Sequence, residues 1–116
     1  MKKTQINTET EFLNIIESLQ REVRKTKLHF INKKDDSFYF VFEDRLYGIC
    51  KVSYTEVTFK CPLVIWEDMA DFEIINLPNG KSRLDKRPTF EYIPLEYDEV
   101  VELYASVNLM NIMNNM

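Results

Sequence analysis

Cys50 and Cys61 close the two ends of "CKVSYTEVTFKC". With His29 and the carboxylates Glu67, Asp68, Asp71 and Glu73, they are the side chains whose types and spacing raise a question of chemistry. Two thiols can serve zinc, a redox couple or a disulfide. Structural zinc takes four thiolate or imidazole ligands, and this chain has 2 cysteines and 1 histidine. A redox couple uses a two-residue spacer, whereas these cysteines lie eleven positions apart. The disulfide is a matter of register. With Tyr54 and Thr55 at a hairpin tip, Val52 faces Val57, Cys50 faces Phe59 and Gly48 faces Cys61 on one side, with Lys51 and Ser53 facing Thr58 and Glu56 on the other. That segregation of apolar from polar predicts both sulfurs in an apolar layer. They would be diagonal neighbours roughly 7 to 8 Å apart, wider than bridged α-carbons usually stand. The cysteines are expected to act as small hydrophobes.

Glu67, Asp68, Asp71 and Glu73 have the chemistry to hold a hard cation or move a proton, but their spacing matches no calcium-loop pattern and reads as a local acidic loop. His29 has no serine or cysteine at a spacing that suggests a nucleophile pair. Gly48 and Gly80 are the only glycines, so no glycine-rich phosphate loop exists. "KSRLDKR", residues 81–87, is cationic but lacks interleaved aromatics, and is expected to be a solvated loop. Neither a catalytic set, a metal site nor a cofactor is predicted.

The net charge of −4 gives no drive toward nucleic acid or anionic lipid, so neither is an expected partner. Its distribution is uneven. Residues 20–34 are basic, whereas from Pro88 onward Glu91, Glu96, Asp98, Glu99 and Glu102 stand with no lysine or arginine. Helix dipoles account for both biases if a first helix ends, and a last helix begins, in these stretches. The longest strictly apolar run is Phe38 to Phe42, far too short for a membrane span. No apolar stretch of signal-peptide length follows the basic opening, so a cytoplasmic location is expected. Few alanines and glycines with many Lys, Asn and Ile suit an AT-rich coding sequence of the kind found in some phages, mobile elements and low-GC bacteria.

These groups must be positioned by helices and strands that the pattern predicts. Thr8 and Glu11 have capping-box spacing, and Phe12, Ile15, Ile16, Leu19 and Val23 then recur on one helical face until about Thr26. Leu28 to Asn32 reads as a short strand and "NKKDD" as a turn. Phe38 to Phe42 is apolar on both faces, which marks an interior strand. In the hairpin register above, Phe38, Phe40 and Phe42 join the cysteine face while Tyr39, Val41, Tyr47 and Ile49 lie on the reverse. That reverse face needs a cover from a helix, a later segment, a second copy or a partner. "LVIW", Phe72 to Leu77 and Thr89 to Ile93 are further strands, with an Asn79-Gly80 turn between the last two. A second helix begins near Glu96 or Asp98 with Val100, Leu103, Tyr104, Val107 and Met110 as its stripe, and the tail adds Leu109, Ile112 and Met113 as core or as a docking patch. The predicted fold is one α+β domain, residues 1–116, with an antiparallel meander of about five or six strands and an amphipathic helix from each end packed on it.

The function most consistent with these features is non-enzymatic protein binding of the inhibitor, immunity or anti-defence type, blocking a functional surface of a larger protein. Glu67, Asp68, Asp71, Glu73, Glu96, Asp98 and Glu99 would cap a basic site, with Tyr39 and Tyr47 as aromatic anchors. One alternative is a homodimeric adaptor, since the order helix, strands, helix in a small acidic chain resembles secretion chaperones. Another is a metal-dependent enzyme built on the cluster from Glu67 to Glu73.

Overall fold

A computed structural model describes residues 9–32, 37–51 and 63–115. Helix α1 (Glu9–Arg24) leads into β1 (His29–Asn32), β2 (Ser37–Phe42), β3 (Arg45–Lys51), β4 (Leu63–Asp68), β5 (Phe72–Asn76), β6 (Ser82–Lys86), β7 (Tyr92–Pro94) and helix α2 (Tyr97–Asn114). Five strands form one antiparallel sheet in the order β1-β2-β3-β4-β7, and β5 and β6 form a separate hairpin. The fold is therefore the expected α+β arrangement with a helix from each end. Pro94 sits on β7, an edge strand, where a missing N–H costs no ladder bond. Thr8, residues 33–36 and the hairpin tip at Tyr54 and Thr55 lie outside the described residues.

Both helices cover one face of the sheet. Ile16, Leu19 and Val23 of α1 and Val100, Leu103 and Val107 of α2 meet Phe38, Phe40, Tyr47, Ile49 and Ile65 in the core. Each fully buried apolar side chain contributes about 1.5 to 3 kcal/mol, so this layer dominates stability. Two polar devices close it. Thr26 Oγ1 donates to the Val23 carbonyl at 2.7 Å, and the buried amide of Asn111 donates to the Glu22 carbonyl at 2.8 Å. Both satisfy last-turn carbonyls of α1 that have no partner within the helix.

The register differs from the expected one. Cys50 pairs with Val64 and Gly48 with Trp66, where Phe59 and Cys61 were expected, and β2 pairs along the other side of β3. Leu63 to Asp68 offers β3 six paired positions, and residues 52–62 lie outside the described segments. The faces also redistribute. A two-residue turn pairs Phe42 with Arg45, so even positions of β2 share a face with odd positions of β3. Phe38 and Phe40 thus lie with Tyr47 and Ile49 beneath the helices, while Gly48 and Cys50 lie with Tyr39 and Val41 on the reverse. The "KSRLDKR" segment is strand β6 rather than a loop, with Arg83 and Asp85 exposed and Ser82, Leu84 and Lys86 half-buried.

The turn that sets this parity is unusual. Glu43 and Asp44 both have positive φ, 51° and 62°, the backbone of a type I′ hairpin turn. Asn-Gly serves such a turn with little strain. A glutamate held there costs about 1 kcal/mol.

Candidate functional site

The expected acidic residues do not form one surface, because strand alternation and the hairpin divide them. Glu67 is on the helix-side face and Asp68 on the reverse. Asp71 and Glu73 belong to the β5–β6 hairpin, where Asp71 lies 3.5 Å from Arg87 with both side chains largely exposed, and Glu73 pairs across the strand with Asp85. Exposed pairs of this kind contribute little. Glu96, Asp98 and Glu99 stand at the start of α2, and Glu99 Oε1 accepts from the Glu96 backbone N–H at 3.0 Å. Part of their role is therefore to cap and charge-match the helix N-terminus. Among the described residues, no three of His, Cys, Asp and Glu converge as metal ligands.

One groove does gather acidic side chains. At the rim of the helix-covered face, the β2–β3 turn contributes Glu43, β4 contributes Glu67, and α2 contributes Glu99 and Glu102, around a cavity of about 220 Å³. Phe42, Tyr47, Leu95 and Leu103 line its apolar part, and Arg45 is the only cation among the described residues that line it. Arg45 Nη1 stands 3.5 Å from Glu67 Oε1, leaving the carboxylates in excess. Tyr47 is a core residue here, with its ring stacked on Phe40 at 5.1 Å and only 8% of its surface exposed, so it lines the groove without projecting as an anchor. Burial pushes its phenol up, Glu67 and Glu43 push the same way, and Arg45 pulls it back. Glu43, Arg45 and Glu102 were not expected in a site. Their only sequence signal is the "EDR" between two strands and an acidic helix start.

The reverse face carries a second cavity, with Tyr39, Cys50, Trp66, Asp68 and Tyr92 in its wall. Cys50 is half-buried there, at the wall of an open pocket rather than sealed in a core, and Cys61 lies outside the described residues. Asp68 differs from the expected surface carboxylate. Its side chain is 1% exposed, and Lys86 Nζ stands 2.9 Å from its Oδ2. Burial pulls Lys86 down, but the hydrogen-bonding reach and charge of Asp68, with Tyr39 and Tyr92 nearby, outweigh it and hold the ammonium above its ordinary value. The outer face of the last turns of α2 exposes Leu109, Ile112 and Met113, because Asn111 takes the buried position there.

Family models, curated proteins and solved structures yield no match to this chain. No helix among the described residues is long and apolar enough to cross a membrane.

Proposed function

We infer that this is a small, acidic, non-enzymatic protein-binding protein of the inhibitor type, which caps a basic functional surface of a larger protein. The supporting observation is convergence: a turn, a strand and a helix, distant in sequence, bring Glu43, Glu67, Glu99 and Glu102 to one groove with a single guanidinium among them. Like charges brought together oppose folding, and the positive φ of Glu43 adds strain. The turn sets the strand pairing and Glu99 caps α2, but neither role calls for four carboxylates around one groove. That convergence suits a basic partner, whose encounter the acidic field would speed while Phe42, Leu95 and Leu103 supply an apolar floor.

Capture from native-host lysate on the immobilised chain, beside the variant E43Q/E67Q/E99Q/E102Q, tests this reading. The expected partner is held at about 0.15 M ionic strength and released near 1 M, where the screening length falls from about 8 to about 3 Å. The variant should fail to hold it. A partner retained equally by the variant, or none at all, contradicts the reading.

A second reading, a homodimeric adaptor, is favoured by one observation. Leu109, Ile112 and Met113 are more than half exposed on α2, and no charged residue follows Glu102 to repel a second copy. A monomeric mass at micromolar concentration removes it.

A further inference from the structure

On the face away from the helices, a cavity of about 300 Å³ is walled by Tyr39, Trp66 and Tyr92, contributed by β2, β4 and β7. Trp66 and Tyr92 meet edge to face, with centroids 6.3 Å apart and planes at 70°. Tyr39 lies over its cross-strand partner Gly48, where an added Cβ would stand 3.1 Å from the ring's Cε1. Glycine in a strand interior sacrifices packing and chain entropy, and marks a close approach. Here it lets a tyrosine ring lie down on the sheet and bound an open space.

The buried polar side chains in this wall are Ser37 and Asp68, and Asp68 is the charged one. Its Oδ1 accepts from the Ala70 backbone N–H at 3.0 Å. Its Oδ2 has the Lys86 ammonium at 2.9 Å as an ion pair, yet is buried with no aligned hydrogen bond. Lys86 Nζ also lies 5.5 Å from the centre of the Tyr39 ring. The two charges offset each other, so a charged ligand would meet a like charge at close range. A neutral ligand meets flat π-surfaces on several sides and, in the Asp68 carboxylate, a strong acceptor for a hydrogen bond.

We propose that this cavity binds a neutral, planar aromatic molecule of one or two fused rings bearing an N–H donor, the ring held among Tyr39, Trp66 and Tyr92 and the donor directed at the Asp68 carboxylate. The volume is at the lower end for ligand pockets, which sets the size of the ligand. The site is separate from the acidic groove, since Trp66 and Asp68 point to the opposite face from Glu67.

Trp66 is the only tryptophan, so its indole N–H gives one resonance in a ¹⁵N-labelled full-length chain. Two probes of the same shape are titrated: indole, which has the donor, and benzothiophene, which lacks it. Indole should shift the Trp66 resonance saturably, with half-saturation below about 1 mM, within reach of a ligand this small. Benzothiophene should bind about tenfold more weakly. Y92A alters a half-exposed edge-strand ring and should weaken indole about tenfold while lowering the melting temperature by no more than about 5 °C. D68N/K86M, which removes both charges together, should abolish the preference for indole. No saturable shift with indole, equal affinity for the two probes, or unaltered binding by Y92A overturns the proposal.

Discussion

Trp66, Glu67 and Asp68 are consecutive residues that serve two different surfaces. Glu67 faces the helix side, at the rim of a core in which the buried side chains, Asn111 apart, are aliphatic or aromatic. Trp66 and Asp68 face the other side, where aromatic rings border open space and a buried carboxylate is matched by a lysine from another strand. The helix-covered face supplies stability, and its acidic rim lies where β2 and β4 end and α2 begins. The reverse face is less filled and more polar. The difference teaches that one strand can build a core and a pocket at once, because side chains alternate with a period of two.

The sharpest way to break this contrast is to truncate matched aromatics on each face. F40A, at a ring 1% exposed beneath the helices, should cost about 3 to 5 kcal/mol in denaturant unfolding. W66A, at a half-buried ring on the reverse face, should cost less than about 2 kcal/mol. Equal losses would mean that both faces are core. Next in size is the charge pair. D68N alone leaves Lys86 facing a neutral group in a mostly buried setting and should cost about 1 to 3 kcal/mol, while D68N/K86M should recover most of it. A double variant no better than D68N would show that the pair does not act as a unit.

Asn111 separates packing from polar satisfaction on the helix side. N111L fills a buried position with apolar volume but takes the shorter of two hydrogen bonds from the Glu22 carbonyl, leaving the Lys25 N–H at 3.2 Å, and should destabilise by about 1 to 2 kcal/mol despite the added hydrophobicity. A gain in stability would show that the Lys25 N–H alone satisfies the carbonyl. The smallest expected effect has the opposite sign. E43N/D44G relieves the strained turn and should stabilise by about 1 kcal/mol, yet weaken capture of a basic partner. If stability and capture rise together, the carboxylates are not there for binding.

Glu22 adds a pH dependence. Hydrogen bonds from Lys25 and Asn111 lead the causes that hold its carboxyl below the usual value. The stabilisation is therefore complete above the unfolded value near 4.5 and is lost as pH falls through the folded one. Acid titration should show N111A losing part of this dependence.

How much of this was readable from the chain alone varied with the strength of local pattern. The stripe of Ile16, Leu19 and Val23 and the two-sided apolar run from Phe38 to Phe42 announced α1 and an interior strand, because helical and extended periods differ plainly there. β6 was hidden because Leu84 is its only apolar residue, so alternation carried no hydrophobic signal. The parity of the faces depended on a hairpin turn made of Glu43 and Asp44, which lack the glycine or asparagine that usually marks one. With the parity inverted, Tyr47 moved into the core and Cys50 out of it. Of the acidic groove, Glu67 and Glu99 were foreseen, while Glu43 and Glu102 join them only through the pairing of distant elements.

The central claim is that partner binding uses the acidic rim and not the opposite face. Hydrogen exchange of the captured complex against the isolated chain tests it most directly. The account predicts added protection around residues 42–46, at 67 and at 95–106, with the β5–β6 hairpin unchanged. Protection confined to residues 72–86, or to the strands' reverse-face pocket, would contradict it.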